Sequence, residues 1–163
     1  MKTIKVLAVI AILFHPLITL FAQGSGKANL RADIETLNDL RDMQISVIDL
    51  ASKDVLKREE VSNRFFYSLP LNGKYMLHFK KAGHPTTRLI VHTNAPEAPG
   101  YNIHFKLNLK NPQPYMESGI SISAGTISFN EASGSFELKE PESGNASLCA
   151  ITFQARVAEP ATF

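Results

Sequence analysis

The fold is decided by residues 72–93, which read Asn72-Gly-Lys-Tyr-Met-Leu-His-Phe-Lys-Lys-Ala-Gly-His-Pro-Thr-Thr-Arg-Leu-Ile-Val-His-Thr93. Large apolar side chains recur at every second position on both sides of residues 82–85: Tyr75, Leu77, Phe79, Leu89 and Val91. A period of two is typical of strands with one buried face, and Gly83 with Pro85 is typical of a turn. The stretch therefore predicts two antiparallel strands joined by a turn in which Gly83 has a positive φ.

The same turn predicts which residues of the two strands lie opposite each other. Pairing through Gly83 places His78 near Arg88 and His92 near Lys74. Because a strand rises about 3.4 Å per residue, four rows separate the two histidines, which is too far for one metal ion. His92 and His104 can still lie diagonally close, but two imidazoles without a third ligand do not make a metal site. We therefore expect no metal.

A second reversal precedes this stretch at Asn72 and Gly73. Gly accepts a positive φ without steric cost and Asn tolerates it, so the pair predicts that residues 65–71 fold back onto residues 75–79. Pro70 cannot donate a ladder hydrogen bond and is tolerated best at the edge of a sheet. We therefore expect residues 65–71 to form an edge strand.

The beginning of the chain has the pattern of a secretory signal peptide. Lys2 and Lys5 precede an apolar run over residues 6–21, which ends at the small residue Ala22. The run is shorter than the roughly 20 apolar residues of a transmembrane helix, and no Cys follows it for a lipid anchor. The pattern predicts cleavage after Ala22 and an exported protein, in the periplasm, on the cell surface or secreted, without a transmembrane anchor.

Cleavage after Ala22 would leave residues 23–163, a length that suits one domain. Loss of Lys2 and Lys5 takes the formal charge from +2 to zero, and nothing in that balance predicts binding of nucleic acid. Cys149 is the only cysteine, so an intramolecular disulfide is excluded. We expect Cys149 to be a small buried apolar residue.

The remaining segments predict further strands and few helices. Residues 23–29 have the composition of a flexible leader, residues 43–50 change the parity of their apolar positions as a bulged strand does, and residues 52–64 are typical of a solvated loop or short helix. The proline-rich residues 94–100 suit a crossing between two sheets. The cleanest alternation in the chain lies at residues 101–109. Strands are predicted there and at residues 30–34, 120–122, 126–129, 135–138 and 149–157.

Short strands at close spacing predict an all-β protein built as an antiparallel β-sandwich. The sandwich domain is expected over residues 30–110, with the C-terminal strands of residues 111–163 packing on it or extending it. The sequence contains no phosphate-binding loop, no H-E-x-x-H and no G-x-S-x-G. We therefore expect no enzymatic activity and no cofactor.

Two segments resemble the centre of carboxypeptidase regulatory-like domains, whose fold is transthyretin-like. They read Phe65-Phe-Tyr-Ser-Leu-Pro70 and Gly73-Lys-Tyr-Met-Leu-His-Phe-Lys-Lys-Ala-Gly-His84. The sequence departs from the family pattern at Arg64, where Gly is usual, and at His84, where Tyr is usual. The resemblance, closest to exported envelope proteins of Bacteroidetes-type bacteria, implies a non-catalytic module of the cell envelope.

The predicted interaction surface includes two apolar residues that point away from the predicted core. Phe66 and Met76 have the parity opposite to Tyr67 and Leu77, so they either lie under the C-terminal strands or face solvent. The sequence favours cover by those strands; exposed apolar side chains would instead mark a contact site.

With Arg64 and Ser68 on the predicted edge strand, Phe66 and Met76 form the candidate interaction surface. The predicted function is a structural or protein-interaction module of the cell envelope with an envelope protein as partner. The alternative is a carbohydrate-binding accessory protein, although the chain has no Trp.

Overall fold

A computed structural model describes residues 26–36, 43–61, 63–82, 84–98, 100–109, 121–141 and 149–157 of the chain. This described part is all-β and contains no helix. Its strands, numbered in chain order, are β1 (Lys27–Thr36), β2 (Gln44–Asp49), β3 (Val55–Glu60), β4 (Arg64–Pro70), β5 (Lys74–Lys80), β6 (Thr86–His92), β7 (Tyr101–Leu109), β8 (Ser121–Asn130), β9 (Ser135–Lys139) and β10 (Cys149–Val157).

The strands form two sheets that pack face to face as a β-sandwich, as the sequence predicts. One sheet has four strands in the order β10-β7-β1-β4, and the other has six in the order β3-β2-β5-β6-β8-β9. Each sheet is mixed rather than purely antiparallel, because β1 runs parallel to β7 and β6 runs parallel to β8. Both parallel pairs join strands that are distant in sequence, so no local turn could reveal them.

The core lies between the sheets and is built from alternate residues of nearly every strand. Phe79 of the six-stranded sheet meets Phe105 of the four-stranded sheet edge to face at 6.2 Å between ring centroids. At one end of the core, Tyr101, Phe129 and Phe136 pack together with centroids 5.2 to 5.7 Å apart. Burying such a side chain contributes roughly 1.5 to 3 kcal/mol each, so these contacts select the inward face of every strand.

The predicted pairing of the central stretch is confirmed. β5 pairs with β6 in antiparallel register, with His78 opposite Arg88 and His92 opposite Lys74. Gly83 lies outside the described residues, so its φ stays a prediction. β7 also matches its predicted bounds and alternates strictly between buried and more exposed positions.

The predicted hairpin between residues 65–71 and 75–79 is wrong. β4 pairs with β1 and belongs to the four-stranded sheet, whereas β5 lies in the six-stranded sheet. Asn72 does take a positive φ of 61°, but the reversal carries the chain from one sheet to the other. The buried hydroxyl of Thr93 stabilises this corner, since it donates to Pro70 O at 2.8 Å and accepts from the Gly73 amide at 3.0 Å.

Two neighbouring expectations are wrong. Residues 43–50 contain no bulge, because β2 pairs with β5 in continuous register and the extra residue at the shift against β3 is Leu56 of β3. The solvated loop or helix expected over residues 52–64 is wrong, since its main part is β3, an exposed edge strand. Charged side chains dominate β3, and the sequence pattern therefore showed solvent exposure but not the strand itself.

The C-terminal strands extend the two sheets. Two strands were expected at residues 120–122 and 126–129. Residues 121–122 and 126–129 are parts of the single strand β8, residue 120 lies outside the described part, and Gly125, with a φ of 131°, lies at a bulge within β8. β8 pairs with β6 and carries β9, while β10 pairs with β7 in the other sheet. β6 and β7, the strands on either side of the proline-rich connection, lie in different sheets, as predicted.

Several expectations concern parts of the chain outside this description. The signal peptide, its cleavage after Ala22 and most of the leader precede residue 26, but the last leader residues, 27–29, belong to β1. The side chain of Cys149 also lies outside the described part, so these predictions stand as such. Within the described residues no helix is long and apolar enough to cross a membrane.

Candidate functional site

The free edge of the four-stranded sheet is β4, as its sequence predicts. β4 pairs with β1 on one side, and no strand among the described residues pairs with its other side. Arg64, Phe66 and Ser68 are exposed on the outer face of β4, while Phe65 and Leu69 are buried in the core. Three of the four predicted interaction residues therefore lie together on one edge strand.

Hydrogen-bond alternation shows which backbone groups of β4 point away from the sheet. The Ile34 amide donates to Asn63 O at 2.9 Å, and Asp33 lies opposite Arg64 in the next row. Since bonded and non-bonded pairs alternate along an antiparallel ladder, Phe65, Tyr67 and Leu69 bond β1. The N–H and C=O groups of Arg64, Phe66 and Ser68 therefore point outward.

Pro70 fits the same alternation. Its position opposite Lys27 belongs to the outward-pointing set, so the missing N–H of Pro70 removes no hydrogen bond to β1. This placement explains why a proline is tolerated within the last residues of a strand.

Beside the edge, Asp33 on β1 gathers three cationic or titratable side chains. Its carboxylate lies 3.2 Å from Arg31 Nη2, 3.4 Å from Arg64 Nε and 2.7 Å from His104 Nε2. The three partners come from β1, β4 and β7, which are neighbouring strands. Arg64 lies opposite Asp33, whereas Arg31 and His104 lie opposite each other in the next row of the same face. We call Arg31, Asp33, Arg64 and His104 the Asp33 cluster.

Electrostatics keep Asp33 ionised. Burial acts to raise the pKa of its carboxyl, but hydrogen bonds from His104 and Arg31, together with their charges, outweigh burial and hold that pKa below its usual range. A carboxylate that accepts charged donors favours its ionised form. One negative charge is thus shared between two guanidinium groups, which leaves the cluster with an excess of positive charge next to β4.

Phe66 is the most exposed large apolar side chain of the described residues, at 60%. The guanidinium carbon of Arg31 lies 5.8 Å from the centroid of its ring, within the range of a cation–π contact. One row further along, Ser68 Oγ donates to Asn29 Oδ1 at 2.7 Å. The edge therefore presents a cation, an aromatic ring and a hydroxyl in successive rows.

Met76, the fourth predicted residue, lies elsewhere. It is half-buried on the outer face of β5, in the six-stranded sheet, so it and Phe66 point away from opposite sides of the sandwich. The cover expected from the C-terminal strands is also wrong, because β8, β9 and β10 add to the sheets side by side and leave Phe66 exposed. His92 and His104, which the sequence allowed to lie diagonally close, are likewise on strands of different sheets, β6 and β7.

Sequence reasoning missed Arg31, Asp33 and His104 as members of one cluster. A signal for β1 was present, since small or apolar residues alternate with polar ones over residues 27–35, but the alanines make the apolar set weak. The proximity of β1 to β7 carried no local signal, because these strands are parallel and about 73 residues apart in the pairing of Arg31 with His104.

The other grooves and clusters of titratable side chains among the described residues offer fewer groups that could bind a ligand. Within the described residues, no group of three or more His, Cys, Asp and Glu side chains lies close enough to hold a metal ion. A shallow groove of about 360 Å³ beside the bulge of β8 is lined by Ser123, Thr126, Ser128, Lys139 and His92, among others. No Phe, Tyr or Trp is among the described residues lining it, so it lacks a stacking platform for sugar rings.

Comparison of the chain with protein-family models and with curated proteins returns no match. The resemblance to carboxypeptidase regulatory-like domains therefore rests on the motif alone, and the geometry of the β4 edge carries the functional argument.

Proposed function

We propose that this protein is an exported, non-enzymatic module of the cell envelope that binds a protein partner by adding a strand of that partner to the free edge of β4. Its fold is proposed to be of the carboxypeptidase regulatory-like type, on the strength of the motif in residues 65–84. Strand addition uses the unpaired N–H and C=O groups of an edge as its main source of affinity.

One observation carries the proposal: β4 combines outward backbone groups with the exposed ring of Phe66. The edge of the other sheet on the same side, β3, differs, because its residues 57–60 are Lys-Arg-Glu-Glu. Charged side chains along an edge are a common protection against unwanted pairing. β4 has only Arg64 as a charged residue, so it is the less protected of these two edges.

The opposite side of the sandwich is less suited to strand addition. β9 and β10, the remaining edge strands of the two sheets, lie beside each other, and a cavity between them is lined by Leu138, Ala150 and Ile151. Their neighbouring edges leave less room for a further strand than the β4 edge does.

The test is a photo-crosslinking amino acid at position 66, introduced into the protein in its native host. We expect one protein partner, crosslinked through an extended segment, and loss of this product when Ser68→Pro removes an outward N–H. Ser68→Ala is the matched control, because it removes the same hydroxyl but keeps the N–H. A crosslinker at position 76, on the opposite face, should not yield the product.

Equal yields from Ser68→Pro and Ser68→Ala would contradict strand addition. Retention of the protein on glycans through Phe66, without a protein product, would favour the carbohydrate-binding alternative.

A further inference from the structure

We infer that the partner strand added to β4 presents an acidic side chain opposite Arg64 and an apolar side chain opposite Phe66. The inference rests on the proposed strand addition and names the partner's chemistry. It is drawn from the charges and exposed groups that the outer face presents along this edge.

Charge at the edge favours an anionic neighbour. The Arg64 side chain is 60% exposed and lies 3.4 Å from an Asp33 carboxylate that Arg31 also contacts. Lys106 is held separately by Glu35 at 2.6 Å, so Glu35 does not neutralise the Asp33 cluster. Arg64 thus shares one carboxylate with another guanidinium and retains exposed surface toward an incoming strand.

A strand added to β4 would lie about 4.8 Å away and place its side chains in the same rows. Directly opposed like charges destabilise a strand pair, whereas opposite charges stabilise it. A partner residue opposite Arg64 is therefore best acidic, and a basic one is worst.

The neighbouring row selects an apolar partner residue. Phe66 is 60% exposed, although the guanidinium group of Arg31 on β1 already lies against its ring. An aliphatic or aromatic side chain on the added strand would bury the remaining exposed ring and form a cross-strand pair. Because side chains on one face repeat every second residue, the acidic and apolar residues of the partner must be two positions apart. This spacing holds whether the added strand runs parallel or antiparallel to β4.

A second copy of this chain does not satisfy the requirement through β4. β4 reads Arg-Phe-Phe-Tyr-Ser-Leu-Pro and has no acidic residue. Pairing of two β4 strands would therefore supply no carboxylate to either Arg64. A different protein with an acidic, alternating segment fits the edge.

The test uses the whole chain and three fluorescein-labelled nonapeptides of alternating Val and Thr, beginning with Val, that differ only at the third residue, which is Glu, Gln or Lys. Val therefore lies two positions from the varied residue, on the same face. Fluorescence anisotropy gives the dissociation constants. We expect the Glu peptide to bind about fivefold more tightly than the Lys peptide, with Gln between them. Raising the ionic strength should reduce this ratio.

Two variants locate the effect. Arg64→Glu should reverse the order of the three peptides, whereas Arg58→Glu, the same charge reversal on the edge strand β3, should leave it unchanged. Ser68→Pro should abolish binding of all three peptides. Thermal unfolding of each variant shows that the fold is retained.

The outcomes separate the two proposals. Equal affinities for all three peptides, still lost in Ser68→Pro, would overturn the acidic preference and leave strand addition standing. Binding of the Glu peptide that survives Ser68→Pro, or failure of every peptide to bind, would overturn strand addition at β4 and the preference with it.

Discussion

Two glycines near the β8–β9 hairpin have positive φ values but very different surroundings. Gly125 has a φ of 131°, and a Cβ added there would lie 2.6 Å from the backbone oxygen of Lys139. Gly134 has a φ of 65°, and a Cβ there would meet nothing within 4 Å. The first glycine is therefore required by both conformation and space, the second by conformation alone.

Gly125→Ala should consequently lower the free energy of unfolding by about 2 to 4 kcal/mol, because backbone strain adds to a clash with the neighbouring strand. Gly134→Ala, the matched control, should cost only about 1 kcal/mol for the left-handed conformation. Chemical denaturation measures both. A smaller loss for Gly125→Ala than for Gly134→Ala would show that the bulge relaxes around the new methyl group.

His78 and His92 make stability depend on pH. Burial, and then the charge of Arg88, lowers the pKa of His78, and burial with the charge of Lys74 lowers the pKa of His92. The Nε2 atom of His78 is buried and has no hydrogen-bond partner in the described structure. Protonation of these two histidines therefore favours the unfolded chain, in which histidines titrate at about pH 6.5.

The folded protein should thus lose stability as the pH falls from above 6.5 toward the lowered pKa values, since the unfolded chain binds more protons in that window. The double variant His78→Gln, His92→Gln should show a flatter dependence of the thermal midpoint on pH between about 7.5 and 5. An unchanged slope in the double variant would assign the dependence to other groups.

At the scale of the element, β4 has two kinds of backbone position. Arg64, Phe66 and Ser68 direct their N–H groups away from β1, and Phe65, Tyr67 and Leu69 direct theirs toward it. A proline therefore has opposite consequences at adjacent residues of the same strand.

Ser68→Pro should change the free energy of unfolding by less than about 1 kcal/mol, because no hydrogen bond to β1 is lost. Tyr67→Pro should cost about 3 kcal/mol or more, since it removes a ladder bond and forces its ring into the paired side. Urea denaturation of the two variants gives the comparison. A larger loss in Ser68→Pro than in Tyr67→Pro would mean that the alternation along β4 is reversed, and similar losses in both would mean that its outer edge is paired.

For the whole molecule, the C-terminal strands are part of the core. Ile122, Ile127 and Phe136 of β8 and β9 are buried among the residues of both sheets. At roughly 1.5 to 3 kcal/mol for each buried side chain, these three supply a contribution comparable with the total stability of a small domain.

A chain that ends after Lys110 should therefore fail to unfold cooperatively, although it retains β1 to β7. Calorimetry or the coincidence of fluorescence and circular dichroism transitions would show this. The full chain is the control, and a cooperative transition in the shortened chain would establish residues 30–110 as a domain that folds alone.

Patterns that repeat along the chain determined the strands themselves. Alternation in residues 75–79, 86–92 and 101–109 specified strands and inward faces, and the turn after β5 specified the register that places His78 opposite Arg88. Pro70 specified an edge. All of these depend on the pleat or on a few neighbouring residues, which the sequence displays directly.

Tertiary structure alone decided which strands become neighbours where no hairpin turn joins them. The turn at Asn72 and Gly73 is compatible with a hairpin and with a corner between sheets, and burial of Phe65 and Leu69 against the opposite sheet selected the corner. The Asp33 cluster depends on β1 lying between β4, to which it is antiparallel, and β7, to which it is parallel, and no hairpin turn joins β1 to either strand. Such neighbours are chosen by the burial of apolar faces from distant segments, and no local pattern contains that information.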